Sequence, residues 1–299
     1  MADNLEIPLV YLDGEDLIPT VNKSYVDIGI LGLLDKLAFG DPLILKGPKG
    51  LGKTLAIEEW CARADVPLVT QSCNSRVNEY HLVGRRSLSG DSISFTCGTI
   101  TTAIMLANEF ECCVLMLDEI NTLREDFQTI LFSVSDYRRR IEEPSLGRVF
   151  KLNKGCSLWV VGTMNPGYAG TYSMSEALIS RFNFAEIPFM SPEDETLLLE
   201  TSFERPPTVS QRRIINKVMT LAKESRAKAT PWGYALSTRD LVRFVRNLEC
   251  KGVTLGLALK LLQSTFPSEF REIIETRVQV IFNINLAKES ILCSDPTLK

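Results

Sequence analysis

The sequence predicts a three-layer α/β sandwich built on a five-stranded parallel sheet, followed by a small helical domain. Two observations support this prediction. Five apolar runs of strand length alternate with stretches of helical periodicity as far as Pro188, and beyond that residue the strand pattern disappears. The chain has 299 residues, of which 45% are hydrophobic, so it can bury a core in each part.

The five predicted strands are short and rich in β-branched and large apolar side chains. They cover residues 42–46, 67–73, 112–118, 156–164 and 182–188. Helical periodicity fills intervals between them, as in "KTLAIEEWCARA" and "GTITTAIMLANEF". Two other segments alternate apolar and polar residues around turn residues, and they predict β-hairpins at about residues 84–98 and 137–155.

The helical part begins after residue 190. The segment "SPEDETLLLETS" opens with an N-cap serine, followed by proline and acidic residues in the first turn of a helix. Further helical stretches follow in "SQRRIINKVMTLAKES", "STRDLVRFVRNLE", "TLGLALKLLQ" and "SEFREIIETRVQVIFNI". We therefore expect an α/β domain that carries both hairpins over residues 1–190, and a helical lid domain with a C-terminal tail over residues 191–299.

Composition narrows the classes of function. The formal net charge is −4, which does not favour a protein that binds nucleic acid through its overall charge. The sequence shows neither a signal peptide nor an apolar run of membrane-spanning length, so we expect a cytoplasmic protein. The eight cysteines form no C-x-x-C pair, and the single histidine, His81, has no cysteine partner at ligand spacing. We expect inert thiols, and His81 as a polar loop residue rather than a catalytic base.

The strongest chemical signal is "GPKGLGKT" at residues 47–54, directly after the first predicted strand, which matches the pattern G-x-x-x-x-G-K-[ST]. Glycines let successive backbone N–H groups turn towards phosphate oxygens, and the following helix adds its positive end. Lys53 is expected to reach the β- and γ-phosphates, and Thr54 to bind Mg²⁺. The alternative is a glycine-rich turn without a ligand. The predicted nucleotide contacts are Gly47, Pro48, Lys49, Gly50, Leu51, Gly52, Lys53, Thr54 and Leu55.

Two later strands end in polar side chains at the same predicted edge of the sheet. In "CCVLMLDEI", Asp118 can hold Mg²⁺, and Glu119 can orient and polarise the attacking water. In "VVGTMNPGYAG", the strand stops at Asn165 and Pro166. Asn-Pro and glycine are ordinary turn residues, so a plain turn is one interpretation. Next to a P-loop and an Asp-Glu pair, we expect Asn165 instead to help position the water at the γ-phosphate.

These motifs together resemble the AAA+ ATPases, and more narrowly the MoxR-like branch that includes the CbbQ, NorQ and GvpN proteins. The matching stretches, over roughly residues 18–191, are "LKGPKGLGKT", "LVGRRSLSG", "LDEIN", "MNPGY" and "EALISRF", with a looser match in "STRDLVRF". The resemblance implies ATP as the nucleotide, Asn165 as sensor 1, Arg181 as the arginine finger and Arg239 as sensor 2. It also implies that the hairpins are the helix-2 insert and the pre-sensor-1 insert, which face partners or the central pore in such rings. His81 departs from the relatives, which usually carry an acidic or small polar residue there.

The arginines also have plainer explanations. A guanidinium such as that of Arg181 can neutralise charge on a transferred phosphoryl group, but Arg181 and Arg239 can equally be structural surface residues paired with acids. Arg138, Arg139 and Arg140 form a basic cluster ahead of the second hairpin. A solvated face or a subunit interface is one explanation of this cluster, and a loop that contacts a partner or nucleic acid is the other.

The resemblance implies an ATP-hydrolysing ring of the chaperone type, expected as a hexamer, that remodels or activates a protein client. Such proteins often act with a partner that carries a von Willebrand factor A domain. The alternatives are the ATPase subunit of a metal chelatase, the motor of a DNA-cutting complex, or an ATP-binding assembly scaffold with little turnover. The presence of Lys53, Asp118, Glu119 and Asn165 argues against the scaffold. We expect no membrane partner, and nucleic acid is not the favoured one.

Overall fold

The computed structural model describes residues 7–23, 25–27, 29–37, 40–89, 92–166, 170–227 and 232–284. The strands in these residues are β1 (Leu9–Val10), β2 (Leu43–Lys46), β3 (Leu68–Ser72), β4 (Gly84–Ser89), β5 (Ser92–Cys97), β6 (Cys112–Asp118), β7 (Arg140–Glu143), β8 (Arg148–Lys151), β9 (Ser157–Met164) and β10 (Asn183–Glu186). Five of them form a parallel sheet in the order β10-β2-β9-β6-β3. This sheet confirms the predicted fold class.

The order of the strands places three predicted site segments side by side. Strands β6 and β9 are buried along nearly their whole length, and β9 lies between β6 and β2. In the register, Leu117 pairs with Gly162, and Lys46 pairs with Met164. Because parallel strands end at the same edge of a sheet, the residues that follow β2, β6 and β9 meet there.

In the described residues, helices are interspersed with the strands up to β10, and five helices follow it. The helices are α1 (Ile30–Lys36), α2 (Lys53–Ala64), α3 (Glu79–Leu82), α4 (Thr99–Glu109), α5 (Glu125–Gln128), α6 (Phe132–Ser135), α7 (Glu176–Ile179), α8 (Pro192–Thr201), α9 (Val209–Ala227), α10 (Thr238–Glu249), α11 (Leu255–Gln263) and α12 (Arg271–Phe282). Short 3₁₀ turns lie at Glu15–Leu17, Ile120–Thr122, Thr129–Leu131 and Ser268–Phe270. No helix in the described ranges is long and apolar enough to cross a membrane.

Two small sheets stand beside the main one. Strands β4 and β5 form an antiparallel hairpin, and β1 pairs in parallel with β5, an addition that the sequence pattern does not reveal. Strands β7 and β8 form the second hairpin. Both hairpins are anchored in the same core, because the buried rings of Phe95 and Phe150 stack with their centroids 6.1 Å apart. The turn residues Gly90 and Asp91 lie outside the described residues.

The chain divides into two compact units. The first comprises Met1–Pro48 and Gly52–Pro188, and the second comprises Lys49–Leu51 and Phe189–Lys299. In the second unit, helices α8 to α12 surround their own apolar core. Ser191 accepts a hydrogen bond from the backbone N–H of Asp194 and so caps α8, while Ser237 and Asp240 form a capping box at the start of α10. The predicted C-terminal tail lies outside the described residues from position 285 onwards.

The cysteines and the histidine have structural surroundings. In the described part of the chain seven cysteines are free, and no group of three or more histidine, cysteine or acidic side chains could bind a metal by itself. Burial raises the pKa of Cys61 to about 12, which keeps this thiol protonated and inert at neutral pH. His81 is a helical residue rather than the expected loop residue, because its ring accepts a hydrogen bond from the backbone N–H of Asn78 and helps to cap α3.

The basic cluster at residues 138–140 is not one surface feature, as the sequence suggests, but three separate contacts. Arg138 pairs with Asp136, and exposed Arg140 pairs with Glu142. Arg139 points inward and donates to the carbonyl oxygens of Val134 at 3.0 Å, Leu158 at 3.3 Å and Gly40. A surface explanation is therefore wrong for Arg139, whose guanidinium donates to three backbone carbonyls from separate segments of the chain.

We predict that Arg139→Met destabilises the protein by about 2 kcal/mol, because it leaves three backbone carbonyls without their donor. Arg140→Met is the matched control, since it removes only an exposed ion pair and should change the free energy of unfolding by less than about 0.5 kcal/mol. Urea denaturation followed by fluorescence measures both values. Equal effects of the two substitutions would contradict the inward role of Arg139.

Candidate functional site

The loop between β2 and α2 has the backbone geometry of a phosphate cradle. Gly50 and Gly52 both adopt φ = +76°, in the left-handed region that favours glycine. Gly47 must also lack a side chain, because a Cβ there would lie 2.3 Å from the carbonyl oxygen of Ile187. Helix α2 begins at Lys53, so its free N–H groups open onto this loop. The loop can therefore surround an anionic group with backbone donors.

Lys53 is the central cation of the site. Its side chain is buried, and its ammonium donates to the carbonyl oxygens of Gly47 at 2.9 Å and Pro48 at 2.7 Å. It also donates to Oδ1 of Asn165 at 2.8 Å. The end of β9 is thus bonded directly to the phosphate loop that follows β2. This contact is the arrangement expected if Asn165 is more than a turn residue.

Asn165 also reaches the second acidic residue. Its Nδ2 group donates to Oε1 of Glu119 at 3.1 Å, so the amide oxygen faces a cation and the amide nitrogen faces an anion. Glu119 has φ = +55°, a left-handed conformation that is uncommon for a residue with a side chain. Gly167 and Tyr168 of the "MNPGY" segment lie outside the described residues.

Asp118 and Thr54 supply oxygen atoms at the mouth of the loop. Thr54 Oγ1 donates to Oδ1 of Asp118 at 2.9 Å, and Thr163 Oγ1 donates to the same oxygen at 2.5 Å. A hydroxyl and a carboxylate are hard oxygen donors of the kind that Mg²⁺ prefers, and this ion usually takes few protein ligands beside phosphate and water oxygens. The donor set fits Mg²⁺.

The negative charge of Asp118 affects two neighbouring side chains. Burial raises the pKa of Glu58, one turn along α2 from Thr54, and the negative charge of Asp118 raises it further. Burial, together with the charges of Asp118 and Glu119, also raises the pKa of the Cys73 thiol to about 12. A cation bound between Thr54 and Asp118 would offset this repulsion.

The comparisons with known proteins agree with this geometry. A family model described as "AAA domain (dynein-related subfamily)" matches residues 42–182. The uncharacterized protein YojN of Bacillus subtilis is 30% identical over 215 residues, which are 70% of this chain and 67% of that protein. Protein NorQ of Paracoccus denitrificans is 29% identical over 222 residues, 73% of this chain and 77% of that protein. The chain belongs to the AAA+ ATPases, in their MoxR-like branch.

Membership of the AAA+ ATPases makes this chain an ATP-hydrolysing P-loop enzyme. A solved structure of NtrX from Brucella abortus in complex with ADP is similar in fold, with a TM-score of 0.53 and 16% identity over 87% of this chain and 66% of that one. At this level of identity the likeness concerns the fold alone.

The structure keeps Arg181 with partners of its own unit. Its guanidinium carbon lies 4.8 Å from the ring centroid of Phe132, and its Nη1 donates to the carbonyl oxygen of Ala177. Its Nε atom lies 3.8 Å from Oδ2 of Asp136. The contacts of Arg181 within the described residues are therefore with α6, α7 and the turn after α6, while Lys53, Asn165 and Glu119 contact one another.

Arg239 lies in the first turn of α10 and is exposed. In the same unit, a Cβ added at Gly50 would lie 2.6 Å from Oγ of Ser237 and 3.2 Å from Cβ of Arg239. Gly50 is therefore required both by its backbone conformation and by this close approach. Within this unit, the N-terminus of α10 places Arg239 close to Gly50.

Sequence reasoning did not single out Thr163 and Asn121. Thr163 accepts a hydrogen bond from the backbone N–H of Glu119 at 3.0 Å while it donates to Asp118, so one hydroxyl holds both acidic residues. Asn121 donates to the backbone carbonyl of Asn165 at 3.1 Å. The signal for Thr163 is its place two residues before Asn165, since alternate residues of a strand share a face.

We predict that Thr163→Val lowers kcat by about 10- to 100-fold, as the loss of groups that orient a metal ligand commonly does. The substitution removes the bonds to Asp118 and Glu119 but leaves the phosphate loop intact, so the Kd for ATP should stay unchanged. Thr163→Ser keeps the hydroxyl and should retain most of the activity. Steady-state turnover and nucleotide titration measure the two quantities, and loss of ATP affinity in the valine variant would contradict this assignment.

Proposed function

We propose that this ATPase works as a ring, expected as a hexamer, in which each active site is completed by Arg181 of the neighbouring subunit. The observation that carries the proposal is that two sets of site residues have different contact partners. Lys53, Asn165 and Glu119 are hydrogen-bonded in one chain, whereas Arg181 is held by Phe132 and Asp136. Hydrolysis of a phosphoanhydride needs a cation to neutralise charge on the transferred group. A head-to-tail neighbour can supply it.

In the proposed mechanism, residues 47–55 bind the phosphates of ATP through backbone N–H groups, and the Lys53 ammonium approaches the β- and γ-phosphates. Thr54 and Asp118 would hold Mg²⁺, which would neutralise charge between the phosphates when bound. Glu119 accepts a proton from the attacking water as that water adds to the γ-phosphorus, while the bond from the γ-phosphorus to the β,γ-bridging oxygen breaks and ADP leaves. Asn165 is hydrogen-bonded to both Lys53 and Glu119, and it orients the attacking water between Glu119 and the γ-phosphate.

Arg239 is proposed to report the state of the nucleotide from the helical unit. Its helix begins at a capping box, which fixes the first turn of α10 in place. The approach of Ser237 and Arg239 to Gly50 supports this role, because a change in the backbone at Gly50 would meet the first turn of α10.

We further propose that the ring remodels or activates a protein client in the cytoplasm, with a partner that carries a von Willebrand factor A domain. The hairpin β4–β5 supports a protein client. At its tip, Leu88 and Ile93 face each other across the strands with 78% and 46% of their surface exposed. Exposed apolar pairs of this kind suit contact with another protein. The three arginines at residues 138–140 are bonded to acidic side chains or to backbone carbonyls, which does not favour a motor that uses them to bind nucleic acid.

We predict that Glu119→Gln binds ATP normally but nearly abolishes turnover, because the amide cannot accept the proton of the water. Lys53→Ala should instead weaken ATP binding, because it removes the cation of the phosphate loop. Immobilised on an affinity column, the ATP-loaded Glu119→Gln protein should retain a purified protein that carries a von Willebrand factor A domain, and Lys53→Ala should not. Equal loss of ATP affinity in both variants would show that Glu119 is wrongly assigned.

We predict that two inactive variants regain activity when mixed. Arg181→Ala supplies an intact phosphate loop without a finger, and Lys53→Ala supplies a finger without a working phosphate loop. In an equal mixture that exchanges subunits, about a quarter of the interfaces combine the two intact halves. The ATPase rate of the mixture is the measurement, and size-exclusion chromatography shows whether the variants co-assemble. An inactive but co-assembled mixture would place Arg181 in its own subunit's site or in a structural role.

A further inference from the structure

One carboxylate, that of Asp136, stands between two arginines at the end of α6. Arg138 donates hydrogen bonds to both carboxylate oxygens. Its Nε lies 3.1 Å from Oδ1 and 3.0 Å from Oδ2, and its Nη2 lies 2.7 Å from Oδ2. The backbone N–H of Arg138 also donates to Oδ1 at 2.9 Å. These hydrogen bonds hold the pKa of Asp136 below its usual range, and the charge of Arg181 contributes to the lowering. The group is ionised at neutral pH.

Arg181 is held by neighbours yet lacks one bond. Its guanidinium stacks on Phe132 and donates from Nη1 to Ala177, as described above. Its Nε–H, however, is buried and donates no hydrogen bond within the described part of the chain. Oδ2 of Asp136 lies 3.8 Å from that Nε, which is too far for a hydrogen bond. A buried donor without an acceptor is costly, so a small shift that joins the two atoms is favourable.

We propose that Asp136 is the positioning residue of Arg181, and that Arg138 competes with Arg181 for this carboxylate. This inference rests on the proposed role of Arg181 as the finger of the neighbouring site. When Arg138 releases Oδ2, the Nε–H of Arg181 binds it, and the stack on Phe132 keeps the guanidinium plane fixed. Anchored through Nε, the side chain presents its two terminal nitrogens together, in the forked geometry that suits phosphate oxygens.

A purely structural role for Asp136 makes a different prediction. Oδ1 of Asp136 accepts the backbone N–H of Arg138 in an Asx turn, and an asparagine at this position keeps that acceptor. Asp136→Asn therefore preserves the turn while it removes the charge that attracts Arg181. Asp126→Asn is the matched control, because Asp126 pairs with Arg124 at 2.6 Å with the same two-residue spacing, whereas the acidic partner of Arg181 among the described residues is Asp136.

The test uses the mixture of Lys53→Ala and Arg181→Ala subunits, with Asp136→Asn added to one or the other. On the Lys53→Ala subunit, which donates the finger, it should lower the recovered ATPase rate about 10- to 100-fold, the range expected for a misplaced catalytic group. On the Arg181→Ala subunit, which has no finger, it should leave the recovered rate unchanged. Asp126→Asn should leave the rate unchanged on either subunit, and the KM for ATP should not move.

Other outcomes overturn the inference. Equal losses on both subunits would show a structural role for Asp136, and no loss on either would show that it does not position Arg181. The mixture of Lys53→Ala and Arg181→Ala without Asp136→Asn tests the proposed function by itself. If this parent mixture recovers activity, the outcomes above concern Asp136 alone. If it stays inactive, the proposed function fails and this inference fails with it. Arg138→Met on the finger subunit gives a second measurement that does not require Asp136→Asn to fold. This substitution should raise the recovered ATPase rate by a factor of about two to five, because the loss of an exposed ion pair shifts an equilibrium by that order. A fall in the rate would show that Arg138 does not compete with Arg181 for Asp136.

Discussion

The hydrogen bond from the Lys53 ammonium to the Asn165 amide is the contact on which the rest of the site depends. It joins the loop after β2 to the end of β9, two strands that are direct neighbours in the sheet. An amide is a dipole, so its oxygen faces the cation and its nitrogen must then face an acceptor. Glu119 is that acceptor, and one fixed side chain thereby orients both the cation and the carboxylate. The neutral side chain of Asn165 therefore sets the positions of the Lys53 and Glu119 charges.

Neutral side chains also orient the acidic residues and the amide of the site. Thr163 uses its hydroxyl as a donor to Asp118 and as an acceptor for the backbone of Glu119, so the strained backbone at Glu119 is held by a neighbouring strand. Asn121 fixes the backbone of Asn165 in a similar way. Each acidic or amide group therefore has a neutral partner that sets its direction. Precise placement, more than the strength of any single charge, is what such a site provides to a phosphoryl transfer.

The sequence predicts much of the fold because local patterns determine it. Buried strands such as Cys112–Asp118 are continuous apolar runs, and the glycine loop and the Asp-Glu pair have fixed neighbours along the chain. The missed features depend on contacts between distant segments. The pairing of β1 with β5, the inward turn of Arg139 and the shared carboxylate of Asp136 each join residues whose proximity only the packed structure determines. Three consecutive arginines look alike in a sequence, although each has a different environment in the fold.

The stacked rings of Phe95 and Phe150 give the two hairpins a common mechanical anchor. A pull on the tip of β4–β5 is transmitted along extended backbone, which stretches little, and reaches Phe95 two residues beyond Ile93. Phe150 lies in β8, so the ring contact couples the packing of the two hairpins. A displacement of the β4–β5 hairpin would therefore disturb the packing around β8 as well.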